Sequence, residues 1–215
     1  MNWLGKSLTA ILDSERNTDC KFIIDDNVYL GHKLIFSCAS EVFERMCYGN
    51  FIEGTTGEIK LTDVEPETFV MFRNFIYSGD SQIHCNDVAQ IIKLLEFGHK
   101  YLVSSITDAC IEKLKNRLDQ CNIIELPAIF QCSHELQSSS LFVMVDSYLK
   151  MRASEIVNQA NIFDFLIPVH TFKNLIIVLS GRIPELIRFK LMLLNFTFFL
   201  MSCILMILIR KNFLT

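Results

Sequence analysis

The sequence predicts an α+β fold: a small sheet with helices packed on it, then an all-α extension. Two observations carry this expectation. Short strand-like runs at 19–25, 28–30 and 58–61 alternate with segments whose apolar residues recur at helical spacing, and beyond Asn122 only the helical pattern remains. About half of the 215 residues are hydrophobic, enough to fill a core for one large domain or two small ones.

Residues 3–12 read as a short amphipathic helix with Leu4, Leu8, Ile11 and Leu12 on one face. The run 19–25 reads as a strand, Asp26 and Asn27 supply turn chemistry, and 28–30 form the return strand. Gly31-His32-Lys33 leads into a helical stretch. Ser40 is placed to cap the next helix, with Glu41 in its first turn and Val42, Phe43 and Met46 pointing inward. Gly49 and Asn50 end that helix. A loop rich in Gly and Thr follows, and it carries Phe51 and Ile52 side by side, then Glu53. Flexible surface loops seldom spend two large apolar residues without a reason, so this stretch is a candidate interaction site.

After the strand at 58–61, Pro66 suits the first turn of a helix with Glu67 beside it, and Phe69, Phe72, Phe75 and Ile76 form its expected buried face. Asn86 or Asp87 caps another helix bearing Val88, Ile91, Ile92 and Leu95. Ser105 is placed to cap the next, whose Asp108 near the start and Lys113, Lys115 and Arg117 near the end suit the helix dipole. Helices over 122–135, 141–152 and 162–166 complete the pattern, with Pro127 early enough in the first to be tolerated.

Net charge is −4 and uneven. Residues 1–180 hold 15 bases against 23 acids, a net −8, whereas the tail holds five bases and one acid, a net +4. That balance argues against a nucleic-acid partner bound by phosphate neutralisation. The eight cysteines (20, 38, 47, 85, 110, 121, 132 and 203) include no C-x-x-C pair, so they read as buried reduced thiols. His84 and Cys85 are adjacent and lack the spacing of metal ligands. Neither a G-x-S-x-G elbow nor a phosphate-binding glycine loop is present, so no catalytic residue, metal or cofactor is expected. The opening residues lack a secretory signal, which with the thiols points to a cytoplasmic chain.

Four segments, DCKFII, GHKLIFSCASEVFERM, EIKLTDVEPETFVMFRNFIYSG and LLEFGHKYLV, resemble those of the BTB/POZ domain, in the family's order. The resemblance covers roughly residues 19–118, preceded by an N-terminal helical arm over 1–18. The helices over 119–180 resemble part of a BACK domain, and nothing resembling Kelch repeats, a MATH domain or zinc fingers follows. This resemblance implies a protein-interaction module that homodimerises and recruits a cullin scaffold of the ubiquitin-ligase system to an unidentified substrate protein. In cullin adaptors of the family, a loop before the small strand carries a hydrophobic residue, any residue, then Glu. That pattern falls on Phe51, Ile52 and Glu53, with Tyr101 on a second expected contact surface. The resemblance also implies a dimer interface using Leu4, Leu8 and Ile11, with Asp19 and Lys33 as a charged pair in its floor, and it makes His32 a structural residue of the strand-to-helix turn. Two other readings stay open: a homomeric scaffold or transcriptional corepressor platform, and the tetramerisation domain of a membrane channel. A single span falls short of what a channel needs.

The tail at 181–215 contains LMLLNFTFFLMSCILMILI, a 19-residue charge-free run over 191–209 with Arg188 and Lys190 before it and Arg210 and Lys211 after it. At about 1.5 Å per residue it is long enough to cross a hydrocarbon core of about 30 Å. It reads either as a tail anchor or as an aberrant end replacing the rest of the helical domain.

Overall fold

A computed structural model of the chain describes residues 3–80, 83–122, 125–136 and 139–152. It divides into two compact units, Met1–Leu141 and Phe142–Thr215. The first opens with α1 (Trp3–Asp13), followed by the hairpin strands β1 (Cys20–Ile24) and β2 (Asn27–Gly31). Next come α2 (Lys33–Ala39), α3 (Glu41–Tyr48), the short α4 (Ile52–Thr56) and β3 (Glu58–Leu61). The helices α5 (Pro66–Ser78), α6 (Val88–Lys100), α7 (Ser104–Arg117) and α8 (Leu126–Glu135) complete it, with a 3-10 turn at Leu118–Gln120. The helix α9 (Ser139–Met151) lies mostly in the second unit, where Lys150 pairs with Asp146 at 2.7 Å.

The sheet order is β2-β1-β3. β1 pairs antiparallel with β2 and parallel with β3, from Lys21↔Glu58 to Ile24↔Leu61. A parallel neighbour needs a crossover, and α2, α3 and α4 provide it. The hairpin turns on Asp25 and Asp26, one residue earlier than expected, because Asn27 already pairs with Ile24. Asp25 takes φ 50°, a left-handed conformation that a short polar side chain tolerates.

Alternation along β1 sends Cys20, Phe22 and Ile24 to the core, where β3 adds Ile59 and Leu61. Phe22 meets Phe36 of α2 at 4.2 Å between ring centroids and Phe69 of α5 at 5.0 Å. Phe43 stacks between Phe72 at 5.3 Å and Tyr101 at 5.1 Å. The rings thus join sheet, α2, α3, α5 and the end of α6 into one aromatic core.

Several expected helix details shift. Phe43 is buried in α3 as expected, but its second buried residue is Cys47, while Val42 and Met46 are half-exposed. The buried face of α5 is Thr68, Phe69, Phe72 and Tyr77, whereas Phe75 and Ile76 are half-buried. α7 starts at Ser104 after Val103, so Ser105 lies inside the helix rather than capping it. Asp87 does cap α6, accepting from the Ala89 N–H at 2.9 Å. α8 belongs to the first compact unit and contacts α6. Among the described residues no helix is long and apolar enough to cross a membrane. The expected helix at 162–166 and the apolar run at 191–209 lie outside the described residues.

Candidate protein-interaction site

The Phe51-Ile52-Glu53 stretch is held from both sides. Upstream, α3 is anchored by Ser40, whose Oγ accepts from the Val42 N–H at 3.0 Å and the Phe43 N–H at 3.4 Å. The same hydroxyl donates to the Tyr101 carbonyl, fixing the start of α3 to the end of α6. Downstream, the Lys21 N–H donates to the Gly57 carbonyl at 2.8 Å and Glu58 pairs with Lys21 in the sheet. An ion pair of 2.7 Å joins the side chains of those same two residues.

Between these anchors the expected flexible loop is a five-residue helix, α4. Phe51 stands at its N-terminal boundary in extended conformation. Gly54 N–H donates to the Phe51 carbonyl at 3.1 Å, and Gly57 N–H donates to the Glu53 carbonyl at 2.8 Å. Two glycines explain how so short a helix closes. A Cβ on Gly54 would lie 2.4 Å from the Gly49 carbonyl oxygen, so the end of α3 and α4 touch backbone to backbone. Gly57 adopts φ 70°, the left-handed C-terminal conformation that L side chains resist. In the sequence these glycines and threonines resemble a mobile loop; in the fold they are what lets the helix pack.

Phe51 is 60% exposed and Ile52 79% exposed, with Tyr48 at the end of α3 also exposed. Glu53 is half-buried in the first turn of α4, where a carboxylate suits the helix dipole. The result is an apolar surface on a backbone with little freedom.

Tyr101 sits elsewhere. It is 5% exposed, its ring lies against Phe43 and Phe97, and its hydroxyl donates to Asp63 Oδ1 at 2.9 Å. Burial alone raises the Asp63 carboxyl, but Lys100 and Tyr101 both donate to it and hold it below the ordinary carboxylate range. Of the expected dimer residues, Leu4 is exposed and Leu8 and Ile11 are half-buried, while the inner side of α1, at Gly5 and Leu12, is buried and the helix contacts α5. Asp19 and Lys33 bond within the chain. The Lys33 N–H donates to Asp19 Oδ1 at 2.7 Å, and Lys33 Nζ donates to the Gly54 carbonyl at 2.8 Å.

His32 is fully engaged. Its Nε2 lies 2.7 Å from the Arg16 carbonyl, which can only accept, so Nε2 carries the proton. Its Nδ1 then accepts from the Tyr77 hydroxyl at 2.7 Å, and that hydroxyl accepts the His32 N–H at 2.9 Å. Burial pushes the Tyr77 hydroxyl up to about 12, so it is a proton donor at neutral pH. Tyr77 was absent from the expected core; the signal available was a Tyr near the end of a helix whose hydroxyl needs a buried partner. Of the seven described cysteines, Cys20, Cys47, Cys110, Cys121 and Cys132 are buried as expected, but Cys85 is half-buried and Cys38 is exposed, which corrects the expectation at those two positions. The Cys20 thiol, hydrogen-bonded to Cys47 and buried, is raised well above its ordinary range, and burial pushes Cys110 and Cys132 up to about 12. Thiols raised in this way stay protonated at neutral pH, whereas the hydrogen bond to Cys20 holds Cys47 below its ordinary value.

Similarity to known proteins fits this geometry. Residues 8–118 match the family model described as the BTB/POZ domain. Kelch-like protein 7 of Homo sapiens is 22% identical over 138 residues, covering 64% of this chain and 22% of that protein. Kelch-like protein 40a of Danio rerio is 27% identical over 149 residues, covering 68% of this chain and 24% of its own length. BTB/POZ domain-containing protein 6-B of Danio rerio is 32% identical over 91 residues, or 42% of this chain and 18% of that protein. The chain thus spans about a quarter or less of these curated relatives. The BTB domain of zebrafish PATZ1 aligns with a TM-score of 0.44 and 18% identity, over 52% of this chain and 88% of that one. With the family model matched across the sheet, the short helix bearing Phe51 and the helices that hold it, the chain belongs to the BTB/POZ domain family.

Proposed function

We propose that this protein is a non-enzymatic adaptor that homodimerises and brings a substrate protein to a cullin scaffold of the ubiquitin-ligase system. The observation that carries the reading is the exposure of Phe51 and Ile52 on α4, a helix whose backbone is already fixed. An apolar side chain held in place before binding loses little freedom on docking, which is how one aromatic comes to dominate an interface. Phe51 is the anchor, Ile52 widens the apolar contact and Glu53 orients the turn. Tyr101 is core and lies apart from this surface, so it is not counted among the docking residues. The similarity to Kelch-like proteins over part of their length supports an adaptor class.

The test is Phe51→Ala, measured by calorimetry against the N-terminal domains of a panel of cullins. Binding to the cognate cullin is expected to weaken by about 2 kcal/mol or more, the scale of a lost interface anchor. Thermal unfolding followed by circular dichroism is expected to change little, because Phe51 is exposed in the free chain. Unchanged affinity together with a large fall in melting temperature would make Phe51 a structural residue and remove the support for the adaptor reading.

A further inference from the structure

A helix of five residues has no stability of its own. Nucleation fixes several residues for one or two hydrogen bonds, so α4 stays helical only where other parts of the chain hold it. Its C-terminal carbonyls lack partners within the helix. The Gly57 N–H takes the Glu53 carbonyl at 2.8 Å, and the Gly54 carbonyl receives Lys33 Nζ, also at 2.8 Å, from α2. This is a cation at a helix C-terminus, the arrangement the helix dipole favours. Lys33 is itself rooted: Asp19 caps its backbone N–H at 2.7 Å, and its Cε passes 3.8 Å from where a side chain on Gly57 would begin. Its ammonium also lies 5.9 Å from the ring centroid of the exposed Tyr48 at the end of α3. One side chain from the strand-to-helix turn thus reaches both segments that flank Phe51.

We infer that Lys33 is the positioning residue of the docking surface, locking α4 so that Phe51 and Ile52 are presented in one orientation. This places its side chain in the service of α4 rather than of a charged dimer floor. The inference deepens the adaptor reading, and its binding arm rests on that reading; its exchange arm does not.

The experiment compares the full chain in non-ionic detergent as wild type, Lys33→Met and Lys33→Arg. Met keeps the apolar stem and removes the donor; Arg keeps donors and charge. Hydrogen exchange is followed at the Gly57 amide, which reports the closing turn of α4, and at the β1–β2 amides, which report the sheet. Lys33→Met is expected to speed exchange at Gly57 by about tenfold, the scale of one lost charge-assisted hydrogen bond, with the sheet amides unchanged. Lys33→Arg is expected to restore protection. Binding to the cognate cullin N-terminal domain falls by about tenfold in Lys33→Met, and by less when Phe51→Ala is already present, because both changes act through the same contact. Wild-type exchange at Gly57 in Lys33→Met, or equal acceleration at every amide, overturns the inference. Wild-type protein that binds no cullin overturns the adaptor reading instead, and the exchange arm still decides the role of Lys33.

Discussion

Tyr101 and Asp63 show how one residue separates a structural role from a binding one. The Tyr101 ring is core, while its hydroxyl reaches the edge of the fold and donates to a carboxylate that also pairs with Lys100. The Asp63 carboxyl is held below its ordinary value, so the sign of the linkage is fixed. These bonds stabilise the fold above the unfolded-state value of about 3.9, and their contribution is lost as pH falls through the lower folded value. Tyr101→Phe keeps the ring and removes one donor. It is expected to cost no more than about 1 kcal/mol at pH 7, because the carboxylate is partly exposed and water screens the pair. The deficit relative to wild type is expected to shrink as Asp63 protonates in acid. Urea unfolding at pH 7 and at pH 3 measures both effects. A deficit that is constant across that range would remove Asp63 as the partner that matters, and a loss of cullin affinity with no loss of stability would return Tyr101 to the contact surface.

At the scale of elements, hydrophobic periodicity made the sheet strands and the longer helices legible, and local chemistry marked the Ser40 and Asp87 caps. It failed where the determinant is long-range or the element is short. Five residues give no helical period to read, so α4 resembles a loop in the sequence. The Lys33 ammonium ends on a backbone carbonyl 21 residues away, a partner without any sequence signature. The inward face of α5 is set by the rings it meets, which is why Tyr77 is buried and Phe75 is not fully so. The exposed pair Phe51 and Ile52 was legible because large apolar residues among Gly and Thr stand out; the rigidity of their backbone was not. α1 poses the converse problem. Its inner side is buried and the helix contacts α5, yet Trp3 is 77% and Leu4 47% exposed. We propose that this outer edge, continued by the half-buried Leu8 and Ile11, receives a second copy across a two-fold axis. Leu4→Glu occurs twice in such an isologous contact. At about 1.5–3 kcal/mol per lost Leu burial, the dimer is expected to weaken by about a hundredfold or more. Sedimentation of the full chain in detergent at micromolar concentration measures it; identical masses for wild type and variant would sink the dimer arm.

At the scale of the whole molecule, residues 1–180 are acidic, whereas residues 181–215 are basic and carry an apolar run. Residues 191–209 carry no charge and contain only Asn195, Thr197 and Ser202 as strongly polar groups, with two basic residues at each flank. Leu, Ile and Phe each contribute about −0.3 to −0.6 kcal/mol to insertion at a span's centre, and one Asn returns part of that, so the run as a whole favours lipid. Long Arg and Lys side chains at both ends can extend to the lipid head groups. Membrane integration is therefore expected when residues 1–215 are expressed together, and positive charge at both flanks sets no orientation. Carbonate extraction of cell membranes, comparing the full chain with one ending at Ser180, measures this. The full chain is expected to stay with the membrane and to dissolve in mild detergent, while the shortened chain is released. Release of the full chain by carbonate would place the apolar run inside the protein. A pellet that detergent fails to dissolve would identify it as an aggregating end. Only the first result allows Phe51 to work at a membrane surface, where confinement to two dimensions raises the effective concentration of any partner held there.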